Sequence, residues 1–292
     1  MPFSRCLARA ALAAVLSLPL APAAAGDAMS PAYRAYYAGL EAQLVAEGRL
    51  RTDRGPAATD AASLARDFTD IAFYEEYAGG RLSRSLGGRA AKPLLRWEDP
   101  VRIQVVFGAS VPSGRRAEDR GAIRAYAARL SAIMGHPVAT TDHGANFHVL
   151  VVNEDERRSL GDQLPRLIPG ISPWMVQTIL RMQKNHLCMV VAEPHADRRR
   201  GYARAVAILR TEHPGRLRQA CLEEELAQGM GLPNDCDTAD PSIFTDTFDY
   251  ASLTRRDELL LKMLYHPSLA SGMSREQALP AITHLARSLA TR

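Results

Sequence analysis

The segment from Glu224 to Asn234 constrains the fold of this chain more than any other. Glu224 and Gln228 are four residues apart, so in a helix their side chains project from the same face. Gly231 follows, and it allows the chain to leave the helix in a conformation that a residue with a side chain would find strained. The chain can then turn back so that Asn234 meets the first two side chains. The spacing therefore predicts a helix, a sharp turn and a shared polar site.

Hydrophobic patterning along the rest of the chain predicts an α/β arrangement with a mixed sheet. Ser30-Pro31 marks a helix start and Gly48 marks its end. From Trp97 onward, short apolar runs typical of strands alternate with helical periodicity. A stretch rich in Gly, Arg and Ser over 79–88 is expected to have little regular structure. The predicted elements are helices 30–47 and 59–77, strand 101–107, helix 120–134, strands 138–142 and 147–152, short helices within 154–184, strands 188–192 and 203–209, and helix 216–229.

Residues 1–25 have the pattern of a secretory signal peptide. Arg5 and Arg9 form a basic start, 10–20 is apolar, and Ala23-Ala24-Ala25 offers a cleavage site with small residues. The alternative is an uncleaved membrane anchor, but the apolar run is short and contains proline. No later segment is apolar for long enough to span a bilayer. We therefore expect an exported protein, periplasmic or extracellular.

Charge and composition limit the classes of partner and the number of domains. The net charge is +4, and removal of Arg5 and Arg9 with the signal peptide leaves +2. A chain so close to neutrality is not expected to bind nucleic acid. With 47% hydrophobic residues, the chain can bury a large core. We expect a helical N-terminal extension over 26–98, followed by one domain over 99–292.

Three cysteines remain after cleavage of the signal peptide: Cys188, Cys221 and Cys236. In an exported protein this number indicates one disulfide and one remaining thiol. The sequence contains no C-x-x-C pair, so neither a redox motif nor a thiolate zinc site is indicated.

The spacing around Glu224 resembles that of the metzincin zinc-protease helix, H-E-x-x-H-x-x-G-x-x-H. Glu224, Gln228 and Asn234 stand where the three zinc-binding histidines belong. Glu225 keeps the place of the general base, and Gly231 keeps the place of the turning glycine. The resemblance implies a zincin-like fold, with a mixed twisted sheet, an active-site helix and a small C-terminal helical subdomain. It also implies a metal site whose ligands have been replaced.

The resemblance extends beyond the motif, over roughly residues 99–267. The segment from Leu253 to Tyr265 is spaced like the matrixin C-terminal helix pattern L-S-x-x-D…L-Y, in which Thr254 would cap the helix with Asp257 three residues on. Ser242-Ile243-Phe244 stands at the metzincin Met-turn, with Phe244 in the methionine position. The pattern C-x-x-E-E-x-x-Q-x-x-G-L-P-N-D is also similar to that of a family of exported bacterial proteins of unknown function.

The metzincin arrangement implies a pairing for the cysteines. In that arrangement the strand starting at Cys188 runs antiparallel to the strand before the motif helix, which brings Cys188 close to Cys221. The resemblance therefore implies a Cys188–Cys221 disulfide. Cys221–Cys236 is the rival pairing.

The replaced ligands leave two functions open. In the first, the protein is a pseudo-peptidase that binds peptide or a cell-envelope component in the inherited cleft. In the second, it is an active metallopeptidase-like hydrolase, with Glu225 as general base and with Glu224, Gln228 and Asn234 or Asp235 around a hard, non-zinc cation. A purely structural alternative is that Glu224 and Gln228 bind the loop that holds Asn234 and Asp235. Stoichiometric zinc is not expected, because amide oxygens bind zinc weakly.

Overall fold

The computed structural model describes residues 29–56, 59–75, 77–78, 81–82 and 90–290. The elements, in chain order, are α1 (Ser30–Ala46), α2 (Ala61–Ala72), β1 (Tyr74–Glu75), β2 (Tyr77–Ala78), β3 (Arg81–Leu82), β4 (Ala90–Ala91), β5 (Val101–Phe107), α3 (Ser113–Met134), β6 (Val138–Thr140), β7 (Phe147–Val152), α4 (Glu154–Arg158), α5 (Leu164–Leu167), α6 (Pro173–Leu180), β8 (Met189–Pro194), β9 (Tyr202–Arg210), α7 (Gly215–Gln228), α8 (Arg255–Leu264) and α9 (Arg275–Ala290).

A five-stranded sheet in the order β6-β5-β7-β9-β8 forms the centre of the fold. The first four strands in this order are parallel to their neighbours, and β8 is antiparallel to β9 at one edge. One face carries the larger hydrophobic core, shared with α1, α2, α3, α7, α8 and α9. A second core lies between the other face and α5 and α6 with the loops beside them. Every residue of β7 is buried, as expected for a central parallel strand covered on both faces.

The two N-terminal helices pack directly on this body. Asp155 of α4 accepts hydrogen bonds from the main-chain N–H groups of Met29 and Ser30 at 2.9 and 3.1 Å, which places a carboxylate at the start of α1. Asp67 of α2 and Arg256 of α8 form a buried ion pair. Both helices contribute to the larger core. The division into a 26–98 extension and a 99–292 domain stays a prediction.

The structure confirms the predicted α/β class and most of the predicted elements. Strands 101–107 and 147–152 have the predicted bounds. Helix α3 starts seven residues earlier than predicted and ends at Gly135, which adopts a left-handed conformation. The predicted helix 59–77 was wrong at its end, because α2 stops at Ala72 and the chain then pairs as a strand with β4. Most of 79–88 lies outside the described residues.

The predicted C-terminal helical subdomain corresponds to α8 and α9. The predicted cap of α8 is confirmed: Thr254 and Asp257 form a reciprocal capping box. No helix formed by the described residues is long and apolar enough to cross a bilayer.

Candidate functional site

The motif helix α7 is buried along nearly its whole length. All three consecutive acidic residues, Glu223 to Glu225, are less than a tenth exposed. The helix starts after Pro214, where the Glu41 carboxylate of α1 accepts a hydrogen bond from the main-chain N–H of Leu217 at 2.7 Å. A carboxylate at this place binds an N–H group that the first turn leaves without a helical partner. Helix α1 therefore fixes one end of the motif helix.

Two aromatic side chains fix the other end of α7. The indole Nε1–H of Trp97 donates to the carbonyl of Gly229 at 2.8 Å, and the Tyr265 hydroxyl donates to the carbonyl of Met230 at 2.8 Å. Burial raises the pKa of Tyr265, so its hydroxyl keeps its proton at neutral pH. These are carbonyls that the end of a helix leaves without internal partners. Tyr265, the last residue of the segment that resembles the matrixin pattern, therefore lies at the exit of the motif helix.

The glycines at this exit are required by close contacts. A Cβ on Gly229 would lie 2.6 Å from the ring of Phe147, which is the first residue of β7. Gly231 has a φ of 128°, and a Cβ there would lie 2.4 Å from the carbonyl oxygen of Leu95. Both positions exclude a side chain, the first by contact alone and the second also by backbone conformation. The sharp turn expected at Gly231 is present.

The two amides at the zinc-ligand positions are engaged within the chain. Gln228 Nε2 donates to Asp235 Oδ1 at 2.8 Å. Asn234 Nδ2 donates to the main-chain carbonyl of Asp70, in α2, at 2.9 Å. Both amide side chains are buried, with residue exposures of 5% and 6%. The motif positions thus crosslink the end of α7 to the loop after it, and that loop to α2.

The carboxylates of Glu224 and Glu225 lie close to a sulfur atom. One oxygen of each and Sγ of Cys188 all lie within 4.8 Å of one another, and all three residues are buried. Among the described residues, these three side chains form the group of His, Cys, Asp or Glu that lies close enough together to share a metal ion. Asp235 does not belong to this group. The sulfur is not a thiolate, because Cys188 is bonded to Cys221.

This donor set does not fit zinc. Zinc sites use thiolate, imidazole and carboxylate ligands, while Gln228 and Asn234 offer only weakly binding amide oxygens. The amide nitrogens of both residues already donate to acceptors of the protein. With the sulfur of Cys188 in a disulfide, the carboxylates of Glu224 and Glu225 are the strong zinc ligands that remain in this group. Two such ligands are fewer than the three or four that protein zinc sites use.

The disulfide joins the edge strand to the motif helix. Cys188 immediately precedes β8 and Cys221 lies in the middle of α7, with a Cα–Cα distance of 5.6 Å. The pairing implied by the resemblance is therefore confirmed, and the rival Cys221–Cys236 pairing is wrong. Cys236 is a buried thiol whose sulfur lies 3.3 Å from the Thr238 hydroxyl.

The third acid of α7, Glu223, belongs to a different contact network. Its Oε2 accepts from Arg129 of α3 at 3.1 Å and from the main-chain N–H of Leu253 at 2.9 Å. Its carbonyl accepts from the Tyr126 hydroxyl at 2.7 Å. One of the three adjacent acids thus pairs with an arginine, and it ties α7 to α3 and to the segment just before α8.

The Ser242-Ile243-Phe244 segment is held by the buried carboxylate of Asp257. Asp257 accepts from the Ser242 hydroxyl at 2.5 Å and from the main-chain N–H of Ile243 at 3.1 Å, in addition to its contacts in the capping box. Burial raises the pKa of Asp257 to about 6, although these hydrogen bonds act in the opposite direction. Phe244 is fully buried in the larger core, and its carbonyl accepts from the main-chain N–H of Cys236 at 2.9 Å.

Asp70 and Trp97 contribute to the site and were missed by reasoning from sequence. Asp70 offers only its main-chain carbonyl, which any residue would supply. Trp97 was identified as the point where the pattern changes, without a contact to the motif helix. No local pattern indicates either contact, since 164 and 132 residues separate the partners.

Comparison with known proteins places this architecture in a family. A family model described as "Protein of unknown function (DUF2927)" matches residues 61–284. The chain belongs to this family. The range matched by DUF2927 begins with the first residue of α2 and includes the sheet, α7, the disulfide and Asp257. No curated protein and no solved structure matches the chain. The DUF2927 match therefore spans both the motif helix and the helix α2 that contacts Asn234.

Proposed function

We propose that this protein is an exported, zincin-like pseudo-peptidase that binds peptide or a peptide-containing cell-envelope component without hydrolysing it. The observation that carries this proposal is the engagement of Gln228 and Asn234 in hydrogen bonds within the chain. Two of the three positions that hold zinc histidines in metzincins thus crosslink the protein. A carboxylate such as Glu225 activates water poorly without a metal ion to polarise it.

The strand β8 is the surface proposed to bind the peptide. It lies at the edge of the sheet and pairs with β9 on one side. An edge strand can add an extended peptide through main-chain hydrogen bonds, with alternate side chains directed to the two faces. The Cys188–Cys221 disulfide joins the start of β8 to α7, so a bound peptide would pass beside the motif helix. The sheet and the disulfide supply this surface without a metal ion.

The second candidate is an active hydrolase that uses a hard cation. The closeness of the buried Glu224 and Glu225 carboxylates supports it, because oxygen ligands suit magnesium or calcium. In this alternative Glu224 would bind the cation together with Gln228 and Asn234 or Asp235, and Glu225 would act as the base. The proposed function and this alternative differ in two measurable properties, bound metal and hydrolysis.

Metal analysis and a peptidase assay discriminate between the two candidates. Protein purified without chelator, with any polyhistidine tag removed, is expected to hold far less than one zinc per chain after dialysis. Hydrolysis of a mixed peptide library should not exceed that of a Glu225→Gln variant, with or without added zinc, magnesium or calcium. Metal-dependent cleavage that Glu225→Gln abolishes would establish the hydrolase instead. One tightly held zinc, lost in Glu224→Ala, would contradict the inference that the residues at the motif positions do not fit zinc.

Binding through β8 is tested by hydrogen exchange with a peptide library. Amides of β8 should gain protection when an extended peptide binds, while those of β6, at the opposite edge of the sheet, should not change. A matched peptide carrying N-methyl groups at alternate residues cannot donate those hydrogen bonds and should bind much more weakly. Equal binding of both peptides would contradict strand addition.

Export is tested separately by intact mass. The form recovered outside the cytoplasm is expected to begin at Gly26, after cleavage behind Ala25. A recovered protein that still starts at Met1 would remove the argument for export.

A further inference from the structure

A single buried histidine lies where α1 packs on the connection between β9 and α7. His213 is 2% exposed, and its ring packs edge-on against Tyr37 of α1, with 4.5 Å between ring centroids and an interplanar angle of 90°. Neither ring nitrogen has a hydrogen-bond partner among the described residues. His213 therefore packs as a neutral aromatic ring in the contact that holds α1.

The charges that surround His213 oppose its protonation. The guanidinium groups of Arg210, at the end of β9, and Arg218, in α7, act together with burial to hold the pKa of His213 well below its usual range. Two of the nearby carboxylates are already paired. Glu154 of α4 forms ion pairs with three arginines, including Arg210, and Asp119 of α3 pairs with Arg218. A proton on His213 would add a third cation without a matching anion.

The remaining titratable groups at this contact have smaller or opposite effects. Burial raises the pKa of Glu212, whose Oε1 accepts from the main-chain N–H of Glu154 at 2.7 Å, so its protonation in acid favours the docked state. Burial and Arg210 lower the pKa of His186, in the loop after α6. Protonation of His186 in acid therefore disfavours the docked state, as protonation of His213 does. Burial raises the pKa of Tyr37, so it stays neutral. Two further carboxylates hold α1: Asp155 at its start and Glu41 against α7.

We propose that α1 is an acid-released strap, and that protonation of His213 detaches it from the surface formed by α4, β9 and α7. In the released state His213 is hydrated, and water screens it from Arg210 and Arg218. In the docked state the same proton is buried beside both guanidinium groups. The released state therefore binds the proton more tightly than the docked state does.

The direction and size of the effect follow from linkage. A histidine whose pKa is lowered in the docked state contributes its full stabilisation above its ordinary pKa of about 6.5. That contribution is lost as the pH falls below this value. Uptake of one proton changes the docking equilibrium by at most about tenfold per pH unit. Protonation of Glu212 offsets part of this loss at lower pH.

Hydrogen exchange on the full chain tests the proposal, with protection factors corrected for the intrinsic pH dependence of exchange. Between about pH 7.5 and about pH 5.5 the protection of α1 amides should fall, approaching tenfold per unit below about pH 6.5. Protection of β5 and β7 should not change over this range. Constant protection of α1, or equal loss in all elements, would overturn the proposal.

Two variants identify the group responsible. His213→Phe keeps an aromatic ring against Tyr37 but cannot gain a proton, so the protection of α1 should lose most of its pH dependence in this range, with the smaller contributions of His186 and Glu212 remaining. Should that variant fail to fold, His213→Gln provides the same test. His143→Gln removes an exposed histidine and should keep the profile of the unmodified protein. A His213 variant that keeps the full pH dependence would contradict the assignment.

Discussion

Glu154, beneath α1, and Asp257, at the start of α8, are both fully buried carboxylates with contrasting partners. Glu154 forms ion pairs with Arg157, Arg158 and Arg210, and these charges lower its pKa to about 2 although burial acts to raise it. Asp257 accepts only from hydroxyl and main-chain N–H groups, and its pKa rises to about 6. Burial alone does not set the charge of a carboxylate, because the charge of its partners decides the outcome.

The same contrast separates the two regions around these residues. The region beneath α1 is held by charges that lose their balance when the pH changes. The region around the end of α7 is held by neutral donors, a disulfide and two glycines that fit closely. The two regions therefore respond to pH in opposite senses: acid unbalances the charges beneath α1, whereas a rise of the pH through about 6 ionises the buried Asp257.

The largest effect is expected on removing the charge of Glu154. Glu154→Gln leaves Arg157 and Arg210 buried without their anion, and should lower the free energy of unfolding by roughly 3–5 kcal/mol. Arg158→Gln is the matched control, because this side chain is 51% exposed and should contribute roughly 0–1 kcal/mol. Urea unfolding at neutral pH measures both. Equal effects of the two substitutions would remove the distinction between buried and exposed partners.

Loss of the disulfide should be nearly as costly. Replacing Cys188 and Cys221 by Ser reopens a loop with a sequence separation of 33, which is expected to lower the free energy of unfolding by roughly 3–4 kcal/mol on the chain-entropy estimate. Cys236→Ser is the control, and by peptide mapping without reduction it should retain the Cys188–Cys221 bond. A stable double variant with unchanged unfolding would show that neutral contacts alone hold this region.

The pH dependence of the two carboxylates should have opposite signs. The raised pKa of Asp257 makes its stabilisation largest below its usual pKa of 3.8, and this stabilisation is lost as the pH rises through about 6. The lowered pKa of Glu154 makes its stabilisation largest above 4.5, and this is lost as the pH falls towards about 2. The difference in unfolding free energy between wild type and Asp257→Asn should fall by up to roughly 1.4 kcal/mol per unit from about pH 4 to 6. Slopes of the same sign for both residues would refute the comparison.

The smallest effects are expected for the motif amides. Gln228→Ala and Asn234→Ala each remove one hydrogen bond and should cost about 1 kcal/mol. Asn234→Ala should also speed hydrogen exchange at the end of α2, because its partner is the carbonyl of Asp70. Gln177→Ala, at an exposed position of α6, should change stability by less than about 0.5 kcal/mol. A loss of bound metal in either motif variant would indicate that the replaced amide is a metal ligand and not a crosslink.

Local patterns predicted the parts of this fold that local chemistry decides. An apolar run gave the bounds of β7, because burial on both faces selects hydrophobic residues at nearly every position. A partly alternating run gave those of β5, whose alternate residues are more exposed. The Thr254–Asp257 cap could be predicted because its two partners are three residues apart. The Gly231 turn could be predicted because a positive φ favours glycine. The cysteine pairing was available only through the metzincin resemblance, since three cysteines leave the pairing open.

The partners within the site could not be predicted in this way. Gln228 and Asn234 were expected to face a shared site with Glu224, but Asn234 donates to α2 instead. Its acceptor is a main-chain carbonyl, which any residue would supply, so the residue type at that position does not indicate the contact. The end of α2 was misplaced for a related reason, because the chain beyond Ala72 pairs with β4, and pairing between distant segments overrides local helical periodicity.

The position of Trp97 has a practical consequence for spectroscopy. The chain has two tryptophans: Trp97 is fully buried, stacked on Phe147 and bonded to the carbonyl of Gly229, whereas Trp174 on α6 is 36% exposed. A soluble quencher should therefore reach Trp174 and leave Trp97 emitting at shorter wavelength. In a Trp174→Phe variant, the remaining fluorescence comes from a single indole at the exit of the motif helix. That variant would report in real time whether a peptide, an ion or a change of pH disturbs this end of α7.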